Sequence, residues 1–127
     1  MQERPIYLDL RKIRLPMSAF SSISHRLSGI YVFFISMPLF LYLIKNSKES
    51  KSSYEVLLEN LTTFSLFSSF IVLSVSIFWY HILTGLRHLV MDFFHIGESI
   101  SASKYTSIFI IIFWIFTTMT FVGFLYL

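Results

Sequence analysis

The 127 residues are 55% hydrophobic and only 13% charged, roughly half the charge of a soluble domain of this length. There is no cysteine, so disulfides, thiolate zinc sites and iron–sulfur clusters held by this chain alone are excluded. The net charge of +3 is too small for a nucleic-acid patch and reads as basic flanks of membrane spans.

Residues 1–17 form a polar arm with isolated apolar positions, punctuated by Pro5 and Pro16. A surface-lying segment is expected, on the bilayer or on another subunit. No cleaved signal peptide is expected, because the first apolar run starts late and no small-residue cleavage site follows it.

The first span candidate covers 18–44, with an apolar part at 27–44, close to the ~20 residues needed to cross a bilayer. Its start is polar, with Ser18, Ser21, Ser22, Ser24, His25, Arg26 and Ser28. Serine is a good helix N-cap, which gives these serines a simple alternative role. Pro38 lies inside the span and is expected to kink it near Phe34.

A polar connection at 45–63 follows, with a short amphipathic pattern that predicts a partly helical loop at the membrane surface. The second span covers 64–94, and at ~45 Å as one helix it exceeds a ~30 Å hydrocarbon core. Its Arg87–Asp92 end is the one expected to project. A short turn around Gly97 leads to the third span, 105–127, which has no charge; Trp114 sits mid-span. The whole reads as one all-α membrane domain over 1–127, with spans at about 22–45, 64–92 and 105–127.

Lys and Arg counts orient the chain. Arg4, Arg11, Lys12, Arg14, Arg26, Arg87 and Lys104 lie on one side, against Lys45, Lys48 and Lys51 on the other. The positive-inside rule then puts the N-terminus in the cytoplasm and the C-terminus outside.

The richest stretch is 80–92. At ~100° per residue His81, Gly85, His88 and Asp92 share one helix stripe, while Arg87 points elsewhere. Charged groups at membrane depth are expensive, so this stripe is expected to face a buried polar object. Arg87 admits a second reading as a snorkelling anchor. His95 suits a plain interfacial role. Because the spans alternate in direction, His25 and Arg26 at the opening of span one meet His81 and His88 at the closing of span two. His81 lies about 10 Å deeper than His88. A haem suits that layout: neutral imidazole binds iron, and cationic groups nearer the surface receive the propionates. Gly85, one turn after His81, is expected to let the flat macrocycle approach the backbone. The second axial ligand would come from His25, from His88 or from another subunit.

Two motifs carry a family resemblance. The first begins Arg4-Pro5-Ile6, passes Leu10 and Met17, and ends Ser22-Ile23-Ser24-His25-Arg26-Leu27-Ser28-Gly29. The second is His81, three residues, Gly85-Leu86-Arg87-His88-Leu89, then Met91-Asp92. Both closely resemble the cytochrome b membrane-anchor subunit of bacterial succinate dehydrogenase, complex II of respiratory membranes. One departure is Phe94, where the family usually has a small residue.

The resemblance implies three transmembrane helices forming half of a two-subunit anchor bundle in a bacterial inner membrane, with a periplasmic C-terminus. It implies haem b with His81 as axial ligand and the other histidine supplied by a second, smaller anchor subunit. His25, Arg26 and, with less support, His88 would meet the propionates; Ser22 and Arg26 would form part of the ubiquinone site. The implied partners are the second anchor, an iron–sulfur subunit, a flavoprotein subunit and membrane lipid. The chain would be no enzyme by itself, but the non-flavin anchor of succinate:ubiquinone oxidoreductase in electron transport and the tricarboxylic acid cycle. The alternative is a haem-free structural anchor.

Overall fold

Pro38 decides the shape of the first span. It has no N–H to donate, and its ring would collide with the carbonyl four residues earlier, on Phe34. In the computed structural model, which describes residues 15–97 and 99–127, helix α1 (Met17–Tyr31) passes through a wide π-type turn (Val32–Ser36) into α2 (Met37–Glu49). The Met37 N–H reaches back five residues to the Val32 carbonyl. The disturbance expected near Phe34 is therefore a widened turn that relieves the proline clash while the rod continues for 33 residues.

The segment expected as a partly helical loop contains helix α3 (Lys51–Thr62). Helix α4 (Leu66–Phe94) follows as a single rod of 29 residues, ~44 Å at 1.5 Å per residue. It ends at His95, whose φ of 51° is left-handed, and the chain turns again at Gly97 with φ 82°. Helix α5 (Ile100–Tyr126) begins earlier than the expected third span and takes Ser101–Lys104 into its first turns. Serine hydroxyls cap three helices: Ser50 accepts from the Ser53 N–H, Ser65 from Ser68 and Ser99 from Ala102. The serines before His25 are not caps. Helix α1 starts after Pro16 without a side-chain cap, and Ser21, Ser22 and Ser24 lie within it. The arm expected at 1–17 falls almost wholly outside the described residues.

All described secondary structure is helical, and three helical rods are long and apolar enough to cross a membrane. Helix α4 packs against α1, the π turn, α3 and α5, and α1 also touches α5.

Among the described residues the buried hydrophobics are Ile71 and Leu83, while Ser21, Ser28, Ser36, Ser68, Ser74, Ser76, Thr84 and Ser107 are buried. This inverts the soluble pattern. Lipid solvates the exposed Phe, Ile and Leu side chains, so the helices meet through small residues and hydroxyl bonds. Tyr31 bonds Ser74 at 3.1 Å, and Ser68 bonds Tyr126 at the far end. Trp114, expected only as a mid-span residue, donates to the Ser76 carbonyl at 2.9 Å, and Trp79 returns a bond to Thr117 at 2.9 Å.

Candidate functional site

Two identical short patterns face each other across the α1–α4 seam. On α1 His25 is followed four residues later by Gly29; on α4 His81 is followed four residues later by Gly85. Helices of opposite direction bring each imidazole over the other's glycine. A β-carbon on Gly29 would lie 3.0 Å from His81 Cε1, and one on Gly85 would lie 3.1 Å from His25 Nε2. A side chain at either place would press on the opposite ring, which would have to give by a few tenths of an ångström. The two rings stack face to face, with centroids 4.4 Å apart and planes 3° from parallel. His88 joins from the side, 5.4 Å from His25 and tilted by 52°.

The hydrogen bonds fix which nitrogen of His81 carries the proton. Its Nδ1 lies 3.2 Å from the His25 carbonyl, which can only accept, so Nδ1 donates. Ser28 is consistent with this. Its one hydroxyl proton goes to the same His25 carbonyl at 2.7 Å, leaving Oγ to accept from His81 Nδ1 at 3.0 Å. In the neutral ring this tautomer leaves the lone pair on Nε2. A neutral imidazole held through Nδ1–H with Nε2 available is the form that binds a haem iron, so the residues fit that group.

His25 lies flat against His81, and His88 projects from the same stripe of α4 as His81, so the three imidazoles form one cluster across the α1–α4 seam.

Several expectations need correction. Gly85 accommodates the His25 ring, where a porphyrin was expected. Asp92 shares the His81 stripe but is exposed, because it lies beyond the level at which α1 covers α4. Arg87 neither projects nor snorkels: it is buried, 8% exposed. Its Nε donates to Thr106 at 3.0 Å, and its Nη2 donates to both the carbonyl and the hydroxyl of Ser103 at 3.0 Å. Arg87 thus ties α4 to α5 on the side away from the histidines. Arg87→Lys loses this planar fork and should loosen the pairing by ~1–2 kcal/mol, since each polar interhelical bond in a membrane is worth roughly 0.6–2. The measurement is the denaturation midpoint of the assembled complex in detergent, which should fall.

Ser22 and Arg26 lie one turn apart on α1, Ser22 half-buried and Arg26 exposed at the level of the histidines. They occupy the face roughly opposite Ser24 and Ser28. That other face opens on an apolar cleft of about 460 Å³ between α1, α4 and α5, lined by Ser28, Tyr31, Tyr80 and Trp114 among others. In it Ser24 and Tyr80 share a 2.6 Å hydroxyl bond, and Tyr80 meets Trp114 edge to face at 5.2 Å.

The family model described as the succinate dehydrogenase/fumarate reductase transmembrane subunit matches residues 1–122. The chain belongs to this family. It is 39% identical over 94 residues, 71% of each chain, to the succinate dehydrogenase cytochrome b556 subunit of Coxiella burnetii. It is 37% identical over 91 residues to the cytochrome b560 subunit of the same enzyme in Porphyra purpurea, covering 70% of this chain and 71% of that one. The role of a membrane subunit follows from this membership and from the three spans.

Ser28 and Gly29 were not singled out by sequence reasoning as parts of the site, nor Ser24 and Tyr80. The signal that would have found them is the repeated spacing. Once His25 and His81 are placed on antiparallel helices, each glycine four residues on must face the opposite ring.

Proposed function

We propose that this chain is the haem b-bearing membrane anchor of a succinate:ubiquinone oxidoreductase. It contributes to the site where electrons from the iron–sulfur subunit reduce ubiquinone. The observation that carries the reading is His81, held through Nδ1–H by Ser28 and the His25 carbonyl, with Nε2 uncommitted.

In this reading His81 Nε2 would hold the haem iron, together with a histidine from a second, smaller anchor subunit that completes the bundle. Bound haem would supply a one-electron centre. His25, Arg26 and His88 would hold the haem propionates, their cationic and imidazole donors offsetting the carboxylate charge. Ser22 hydrogen-bonds a quinone oxygen, and Arg26 stabilises negative charge that develops on reduction. The flavoprotein and iron–sulfur subunits sit on the cytoplasmic side of a bacterial inner membrane, at the face where span one opens, and the C-terminus is periplasmic.

The experiment is gentle purification of the native assembly, identification of its subunits, and a reduced-minus-oxidised absorption spectrum. A b-type spectrum with flavoprotein and iron–sulfur partners is expected. Partners without any haem band would leave the haem-free structural anchor.

A further inference from the structure

We infer that Ser28 is a positioning residue for His81: it fixes the ring plane and keeps the proton on Nδ1, and so tunes Nε2 as a ligand. This inference rests on the haem reading above.

Four contacts hold the ring. Gly29 lies against its Cε1 edge, where a β-carbon would sit 3.0 Å from the ring. His25 covers one face in a parallel stack. The His25 carbonyl accepts from Nδ1 at 3.2 Å, and the Ser28 hydroxyl accepts at 3.0 Å. Of these, only Ser28 contributes a side-chain acceptor that substitution can remove. Ser28 is itself buried, 7% exposed, and its proton is committed to the His25 carbonyl. With that proton on the carbonyl, the Oγ lone pair faces Nδ1. An acceptor on Nδ1–H raises the basicity of Nε2 and strengthens its bond to a metal. A more basic ligand favours ferric over ferrous iron.

Ser28→Ala removes the nearer acceptor and leaves the longer bond to the carbonyl. In the assembled complex the haem midpoint potential should move upward. The low-temperature EPR signature of the oxidised haem should change as the ring plane loosens, and haem affinity should fall roughly tenfold, the lower end of the range for such outer partners. Ser28→Thr should restore the potential. A helical threonine keeps the hydroxyl bond to the carbonyl three residues back, and its methyl has the cleft beside Ser28 to enter. Ser28→Cys, with similar volume and a weaker acceptor, should shift the potential in the same direction as alanine and gives the reading should the alanine variant fail to assemble. An unchanged potential and EPR signature in both the alanine and cysteine variants overturns the inference, as does an equal disturbance by alanine and threonine. The underlying haem reading fails separately, if His81→Leu leaves the spectrum intact.

Discussion

Replacing His81 with leucine should remove the haem absorption bands from the assembled complex. The side chain left behind has similar bulk and no lone pair. His25 is not placed to take over, because its ring packs over Gly85 of α4. His88 is two turns along α4, about 10 Å away along the axis. The structural disturbance is small by comparison. Ser28 keeps its bond to the His25 carbonyl, so loss of the Nδ1–H donor orphans at most an acceptor, a cost of ~1–3 kcal/mol. The complex should therefore assemble with its flavin and iron–sulfur clusters, and the haem-to-flavin ratio should fall by at least tenfold. The measurement is a pyridine haemochrome assay against flavin content. A haem content equal to that of the unaltered complex removes the axial role from His81.

The spans were legible because a bilayer imposes a length and a composition on any helix that crosses it, and 18–44, 64–94 and 105–127 satisfy both. The disturbance at Phe34 was legible for a similar reason, since Pro38 must perturb the carbonyl four residues back whatever surrounds it. Arg87 was misread because sequence periodicity gives only its direction from the His81 stripe. What lies in that direction is a matter of tertiary packing: Ser103 and Thr106, at the start of a helix that begins earlier than the apolar run suggests. Gly85 was misread for the complementary reason. A glycine beside a histidine announces close approach but does not name the approaching group, and here the nearer candidate was an imidazole from α1.

The same contrast explains which residues hold the bundle together. Hydropathy cannot separate lipid-facing Phe from helix-facing Phe, and in this chain most large apolar side chains, such as Phe33, Phe34 and Phe116, are exposed. The seam is carried instead by serines and threonines, which a hydropathy profile treats as noise. On α1, Ser24 and Ser28 meet Tyr80 and His81 of α4, and Tyr31 further along meets Ser74, as helices running in opposite directions require. Reading that seam requires pairing the two helices before interpreting either.

Arg26→Leu and Ser22→Ala should separate the two halves of the proposed reaction. Both residues lie on the face of α1 turned away from the cleft; Arg26 is exposed at the level of the histidine stack, and half-buried Ser22 loses only its hydroxyl on truncation to alanine. If Arg26 stabilises charge on the quinone as it is reduced, its loss should lower quinone reductase activity by about 10²-fold, the lower end of the effect of removing one donor to a developing oxyanion. Ser22 offers a neutral hydrogen bond, worth ~1 kcal/mol, so its loss should cost several-fold. Succinate oxidation with an artificial soluble acceptor bypasses the membrane subunit and should stay near the level of the unaltered complex in both variants. The ratio of the two activities is therefore the diagnostic quantity, and equal loss of both would mark an assembly defect and remove these residues from the quinone site. Arg26 is also proposed to meet a propionate, so Arg26→Leu should perturb the haem potential while Ser22→Ala leaves it unchanged. That difference tests whether one arginine serves both the haem edge and the quinone.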